Sequence, residues 1–349
     1  MDNPDRQIAY CRRILPRVSR TFALGIELLR EPLRDITAVA YLICRILDTV
    51  EDTTDIPASR RADLLERAGR ELFDPELRRE CCRAIGEASP EETFSGDEPD
   101  LCRRAEEVLA VYHRFSPEVR EAIRGPAALM ASGMAGTVRR EEGTGGLRLA
   151  TVGELEEYCF YVAGTVGIML TALFSLNRPS ITGEIEERLG PAGIDFGLGL
   201  QLTNIIKGVT DDISRGVSYL PRTLLEEAGV TLGELIADPS DPRGRPVVES
   251  LVRLALGRLD RGLDYTLAIP AGEKDLRLFC ALPLFFAVET LGLVSGGEKV
   301  FGREPLKISR EEVGVIHRRL EEAAGDDDTL RREYCRRKEE LGFSRKSTG

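Results

Sequence analysis

Histidine occurs twice in 349 residues, at His113 and His317, and the eight cysteines form no CxxC pair. Zinc centres need such ligands at close spacing, so the pattern argues against one. Lysine is nearly absent, confined to Lys207, Lys274, Lys299, Lys307, Lys338 and Lys346, and the net charge is −11. Without a basic footprint, general affinity for nucleic acid is not expected, and electrostatic binding to anionic lipid is disfavoured. Met1 to Arg13 is polar and charged and holds no apolar signal core. The longest apolar run, Leu278 to Val294, is interrupted by Pro283 and Glu289 and falls short of the ~20 residues of a membrane span. It is read as a buried core helix. Free cysteines in apolar runs, such as Cys44, Cys159 and Cys280, suit a reducing cytoplasm, which is the expected location. No strand followed by GxGxxG offers a dinucleotide fold.

Apolar residues recur at helical spacing, and alternating β-branched runs are scarce. The expectation is an all-α protein with helices over Asp5–Pro16, Ile36–Glu51, Ser59–Leu72, Glu76–Ile85, Leu101–Phe115, Pro117–Met134 and Thr151–Ser175. Further helices are expected over Gly183–Leu189, Ile194–Asp212, Leu224–Glu227, Pro246–Ala268, Arg277–Val294 and Ser309–Ala323. Ser89–Asp100 and Glu141–Leu149, rich in Gly, Ser, Pro, Glu and Thr, are expected loops. The charged stretch from about 325 to 349 is read as a tail. With 42% hydrophobic residues the chain can bury a large core, and a single domain over 1–349 is expected.

Two acidic clusters stand out against this apolar background: Asp48-Thr49-Val50-Glu51-Asp52, and Asp211-Asp212 after Asn204-Ile205-Ile206-Lys207. Asp48, Glu51 and Asp52 are three and four apart, so one helix face carries all three. Inward-facing charge is costly unless paired or metal-bound. Mg²⁺ prefers hard oxygen donors and is commonly held by one or two carboxylates with substrate phosphate. Facing helices of this kind would clamp a diphosphate. Taken alone, a DxxED is more often a solvated helix face.

Its neighbours change that reading. Val18-Ser19-Arg20-Thr21-Phe22, then Tyr41 and Arg45 before DTVED, then YCFYVAGTVG from Tyr158, then QLTNIIK from Gln201, occur in order. This resembles the squalene and phytoene synthase family. MASGMA (Met130 to Ala135), FCALP (Phe279 to Pro283) and the flap-like Val300 to Ile308 resemble the squalene synthase branch, so the likeness spans roughly Ser19 to Ile308.

The resemblance implies the isoprenoid synthase helical fold with a central cavity, and a head-to-head prenyltransferase that joins two farnesyl diphosphates through presqualene diphosphate to squalene. It implies Mg²⁺ on Asp48, Glu51, Asp52, Asp211 and Asp212, and NADPH from the branch alone, with no residues assigned to it. Diphosphate would be held by Ser19, Arg20, Tyr41, Arg45, Asn204, Lys207 and Arg215. Tyr158 is the implied acid/base, with Arg20 beside it and Phe22 and Phe279 lining the tunnel, where aromatic faces stabilise cations. Against these stand plainer roles: Phe22 and Phe279 as core, Ser19 as a helix cap, Gly164 and Gly167 as close-packing positions. The second acidic motif also departs from the family: Gly208 stands where its first Asp belongs, Asp211 replaces Glu, and Val217 replaces a later Arg, while Arg215, Tyr219 and Pro221 fit. The alternatives are a phytoene-type synthase using geranylgeranyl diphosphate and a degenerate, non-catalytic binder of prenyl diphosphates. Contact with membranes, where an oily substrate requires it, would be transient.

Overall fold

The computed structural model describes residues 4–90, 96–141, 146–294, 297–302 and 304–343, with the backbone alone at Pro4 and Arg20. It is 76% helical, and among the described residues no strand forms; Arg148 and Ser218 make one isolated bridge. The chain divides into two compact units, Met1–Leu147 with Glu157–Glu186, and Arg148–Glu156 with Glu187–Gly349.

The first unit contains α1 (Pro4–Val18), α2 (Arg20–Glu27), α3 (Leu33–Asp52), α4 (Ala58–Glu71), α5 (Arg78–Glu87), α6 (Glu98–Arg103), α7 (Ala105–Tyr112) and α8 (Pro117–Arg139). It then takes the end of α9 (Val152–Cys159), a π turn (Phe160–Gly164) and α10 (Thr165–Asn177). α3 is the axis of this unit: Leu33, Ile36, Val39, Leu42, Ile43, Ile46, Leu47 and Val50 are buried, and it packs on α1, α4, α7 and α8. Ser116 caps α8, accepting the Val119 N–H, with Pro117 in the first turn where its missing N–H costs nothing. α4 and α8 form the most extensive packed pair. Gly133 of α8 permits the next contact, because a Cβ there would lie 2.0 Å from Cγ of Tyr161.

The second unit holds most of α11 (Gly183–Ser214), then α12 (Arg222–Glu227), α13 (Leu232–Ala237), α14 (Gly244–Ala268), α15 (Lys274–Leu293), α16 (Glu298–Phe301), α17 (Arg310–Ala323) and α18 (Asp327–Glu340). α15 is the expected core helix: 83% of its most apolar window is buried. By length and composition both it and the Val152–Asn177 stretch, 44% buried, could cross a membrane. Arg277, 2% exposed, donates to the carbonyls of Ile269 at 2.7 Å and Ala324 at 3.4 Å and pairs with Asp327 at 2.6 Å. It thereby ties the ends of α14 and α17 to the start of α18.

Four expectations need correction. Gly183–Leu189 and Ile194–Asp212 are one helix, because Pro191 removes a single backbone bond and the flanking turns continue. Leu101–Phe115 breaks at Arg104 (φ −108°, ψ 20°), so α6 and α7 are separate. Thr151–Ser175 is interrupted by the π turn. The charged tail contains α18, which Asp326 caps and whose Leu330 and Tyr334, four apart, are buried. α2, α13 and α16 were also not expected; they are short, and too few residues repeat to show a period. Within the two expected loops, residues 91–95 and 142–145 lie outside those described.

Candidate active site

α3 carries the first acidic cluster in its last two turns, and α2 stands beside it. Ser19 is the N-cap of α2, accepting the Phe22 N–H at 3.3 Å, which realises the capping role. Phe22 packs on Tyr41 with ring centroids 5.5 Å apart. Tyr41 is hydrogen-bonded to Ser19, and burial pushes its phenol up to about 12. One turn on, Arg45 donates to Glu98 at 2.8 Å and stands 3.9 Å from Asp48. Ser19, Phe22, Tyr41, Arg45 and Asp48 are thus brought together. The Arg20 side chain lies outside the described residues.

Of the Asp48 side chain, 32% is accessible to solvent, yet desolvation raises its carboxyl to about 7, Arg45 opposing this and Asp52 reinforcing it. Glu51 is 7% exposed, and burial, then Asp52 and Asp48, hold its carboxyl well above the ordinary value. No side chain among the described residues hydrogen-bonds the Glu51 carboxylate. This is a donor set short of positive charge, which fits a hard divalent cation. The three acids do not form a finished cage: among the described residues, no three His, Cys, Asp or Glu side chains gather closely enough to hold an ion. Mg²⁺ held by one or two carboxylates and a phosphate needs no such cage.

The second cluster closes α11. Asn204, Lys207 and Asp211 follow one another at helical spacing along its exposed side, while Leu202, Ile205, Ile206 and Val209 are buried. Lys207 donates to Asn204 Oδ1 at 3.3 Å. Its ammonium is shifted down by desolvation and by Lys307, with Asp211 opposing. Asp212 is 9% exposed and accepts from Arg215 at 2.6 Å. The helix then ends in a Schellman turn: Gly216 adopts φ +83°, its N–H donates to Ile213 O, and the Val217 N–H donates to Asp212 O at 3.0 Å. Val217 therefore keeps the turn through its backbone, a bond that does not depend on the side chain at this position. Gly208 has no steric reason to lack a side chain, since a Cβ there would meet Asp212 Oδ2 at 3.6 Å, ordinary contact.

Tyr158 is 4% exposed in the last turn of α9, two residues before the π turn, a local widening frequent at functional sites. Phe279 is 5% exposed on α15.

The family model for squalene/phytoene synthase matches residues 15–312. The chain belongs to this family. Squalene synthase of Candida albicans is 33% identical over 308 residues, 86% of this chain and 64% of that protein. Squalene synthase 1 of Arabidopsis thaliana is 29% identical over 310 residues, 88% of this chain and 70% of that one. The chain thus spans just under two thirds of the length of the Candida relative. Among solved structures, that of TcSQS with the ligand BPH1237 superposes with a TM-score of 0.79 at 26% identity, covering 99% of this chain and 94% of that one. A dehydrosqualene synthase shares the fold at TM-score 0.61 and 22% identity, covering 91% and 96%. The all-α isoprenoid synthase fold follows.

Sequence reading missed Glu98, Arg61, Glu141 and Lys307. Glu98 lies 53 residues from Arg45 and Glu141 lies 80 from Arg61, so no local pattern could show these pairs. Lys307 had one available signal, the rarity of lysine.

Proposed function

We propose that this squalene/phytoene synthase family member is a Mg²⁺-dependent head-to-head prenyltransferase, which condenses two farnesyl diphosphates through presqualene diphosphate to squalene. The observation that carries this reading is the acidic end of α3, where Glu51 is buried beside Asp48 and Asp52 and its carboxylate, among the described residues, accepts no side-chain hydrogen bond. That arrangement is poorly satisfied alone and well satisfied by a cation arriving with a diphosphate.

In this reading Asp48, Glu51 and Asp52, and separately Asp211 and Asp212, are Mg²⁺ ligands. The metal, when bound, neutralises a diphosphate leaving group so that the allylic C–O bond can ionise. Lys207 and Arg215 share that negative charge, as do Arg45 and Arg20. Ser19 and Tyr41 offer hydroxyls to phosphate oxygen, and Asn204 an amide. Tyr158 is the base that accepts the proton lost when the cyclopropane closes. Phe22 and Phe279 keep water from the cation and present ring faces to it. NADPH would supply the hydride of the reductive second half. The reaction is placed in the cytoplasm, with membrane contact transient.

The test is to supply the protein with farnesyl diphosphate and Mg²⁺, with and without NADPH, and to identify products by mass spectrometry. Squalene formed only with NADPH supports the whole reading. Presqualene diphosphate or a dehydro product regardless of NADPH keeps the coupling and removes the reduction. Product from geranylgeranyl diphosphate alone indicates the phytoene-type reaction. No turnover of either favours the binder that Gly208 suggests.

A further inference from the structure

α3 ends under unusual electrical conditions. Its last turn carries Glu51 and Asp52 with no basic residue, at the helix end where exposed carbonyls already concentrate negative charge. The cation that meets this end comes from α4. Arg61 is 8% exposed; its Nη1 donates to the main-chain carbonyl of Glu51 at 2.6 Å, and its Nη2 pairs with the carboxylate of Glu141, just beyond α8. One guanidinium therefore fastens three elements, with its planar fork divided between a carbonyl and a carboxylate. The Arg61 and Glu141 side chains are only 10% and 12% exposed, so water is a poor substitute for either partner.

We propose that Arg61 is a positioning residue for the metal-binding end of α3, with Glu141 as the counter-ion that aims it. This rests on the reading that Asp48, Glu51 and Asp52 hold Mg²⁺. Arg61 touches no substrate atom: it acts by fixing the carbonyl of Glu51, and with it the turn from which the Glu51 and Asp52 side chains project. Because Glu141 neutralises it, Arg61 leaves the acid cluster free to attract a divalent cation.

The experiment measures Mn²⁺ binding to the full chain by electron paramagnetic resonance, with inorganic pyrophosphate present, alongside Tm. Arg61→Gln combined with Glu141→Gln leaves the net charge unchanged and removes the anchor. Its Mn²⁺ dissociation constant is expected to rise about tenfold or more, as for other groups that orient metal ligands. Arg61→Lys keeps the charge but cannot fork between both acceptors, and is expected to weaken binding severalfold. A purely structural role would lower Tm and leave Mn²⁺ affinity of the folded protein unchanged. Unchanged affinity in the double variant overturns the proposal; if that variant does not fold, unchanged affinity in Arg61→Lys does so. If the unaltered protein binds no Mn²⁺ with pyrophosphate, the metal reading itself fails and this inference falls with it, an outcome distinct from equal binding by all forms.

Discussion

Arg45 bonds Glu98 at 2.8 Å while standing 3.9 Å from Asp48, one turn away on its own helix. A cation that could neutralise the first acid of the cluster is thus held closer to a carboxylate elsewhere, and Asp48 keeps only the longer contact. Glu98→Gln is expected to release Arg45 toward Asp48. Arginine would then compete with Mg²⁺, and the Mg²⁺ concentration giving half-maximal product formation should rise severalfold. An unchanged Mg²⁺ requirement would show that Glu98 does not govern Arg45.

Asp48 also gives a signed pH dependence. Its carboxyl moves from an ordinary 3.8 to about 7 on folding, chiefly through desolvation. The folded state therefore holds the proton more tightly, and this contribution to stability is full below about 3.8 and lost as pH rises through about 7. In the presence of a chelator, Asp48→Asn should raise Tm at pH 8 and bring little gain at pH 5. The check is thermal unfolding of both proteins at the two pH values; equal gains would contradict the sign.

Gly208→Asp should place a carboxylate beside Asp212, whose Oδ2 lies 3.6 Å from the Cβ position. Asp212 is engaged by Arg215, so an added acid is expected to lower the Mg²⁺ concentration for half-saturation. Isothermal titration with Mg²⁺ and pyrophosphate tests this, and an unaltered curve would place position 208 away from any metal.

Gly133→Ala should destabilise by about 1–3 kcal/mol, because overpacking forces a shift of Tyr161 or of α8. Denaturant unfolding gives the value. A loss below a few tenths would mean that Tyr161 relocates freely.

Glu289 is 5% exposed on α15 and is held by Arg337 of α18. Arg337→Ala leaves a buried, unpaired carboxylate, at a cost of about 3 kcal/mol. Limited proteolysis should then cut within α18 before the rest of the chain.

Long helices were readable: α3, α8 and α14 repeat a buried face over several turns, and α15 is a long apolar run buried on nearly every side. α18 was not, since only Leu330 and Tyr334 are buried among fourteen residues that are otherwise largely charged. The gap expected between Leu189 and Ile194 contains Pro191, and the helix runs through it because a helix packed on both sides of a proline tolerates one lost bond. The α3 side of the candidate site was legible: Ser19, Phe22, Tyr41, Arg45 and Asp48 lie within three turns of α3 or at the start of α2. Arg61 and Glu141 were illegible because their chemistry depends on how α4 and α8 pack, which no local pattern records.

The π turn at Phe160–Gly164 is in effect one residue inserted into a helix that runs from Val152 to Asn177. An α-helix advances about 100° per residue, so the insertion rotates Glu157–Cys159 by that angle relative to α10. The direction of the Tyr158 hydroxyl is consequently a matter of counting. Shortening this segment by one residue would leave both helices intact and turn the tyrosine about a quarter of the way round the axis.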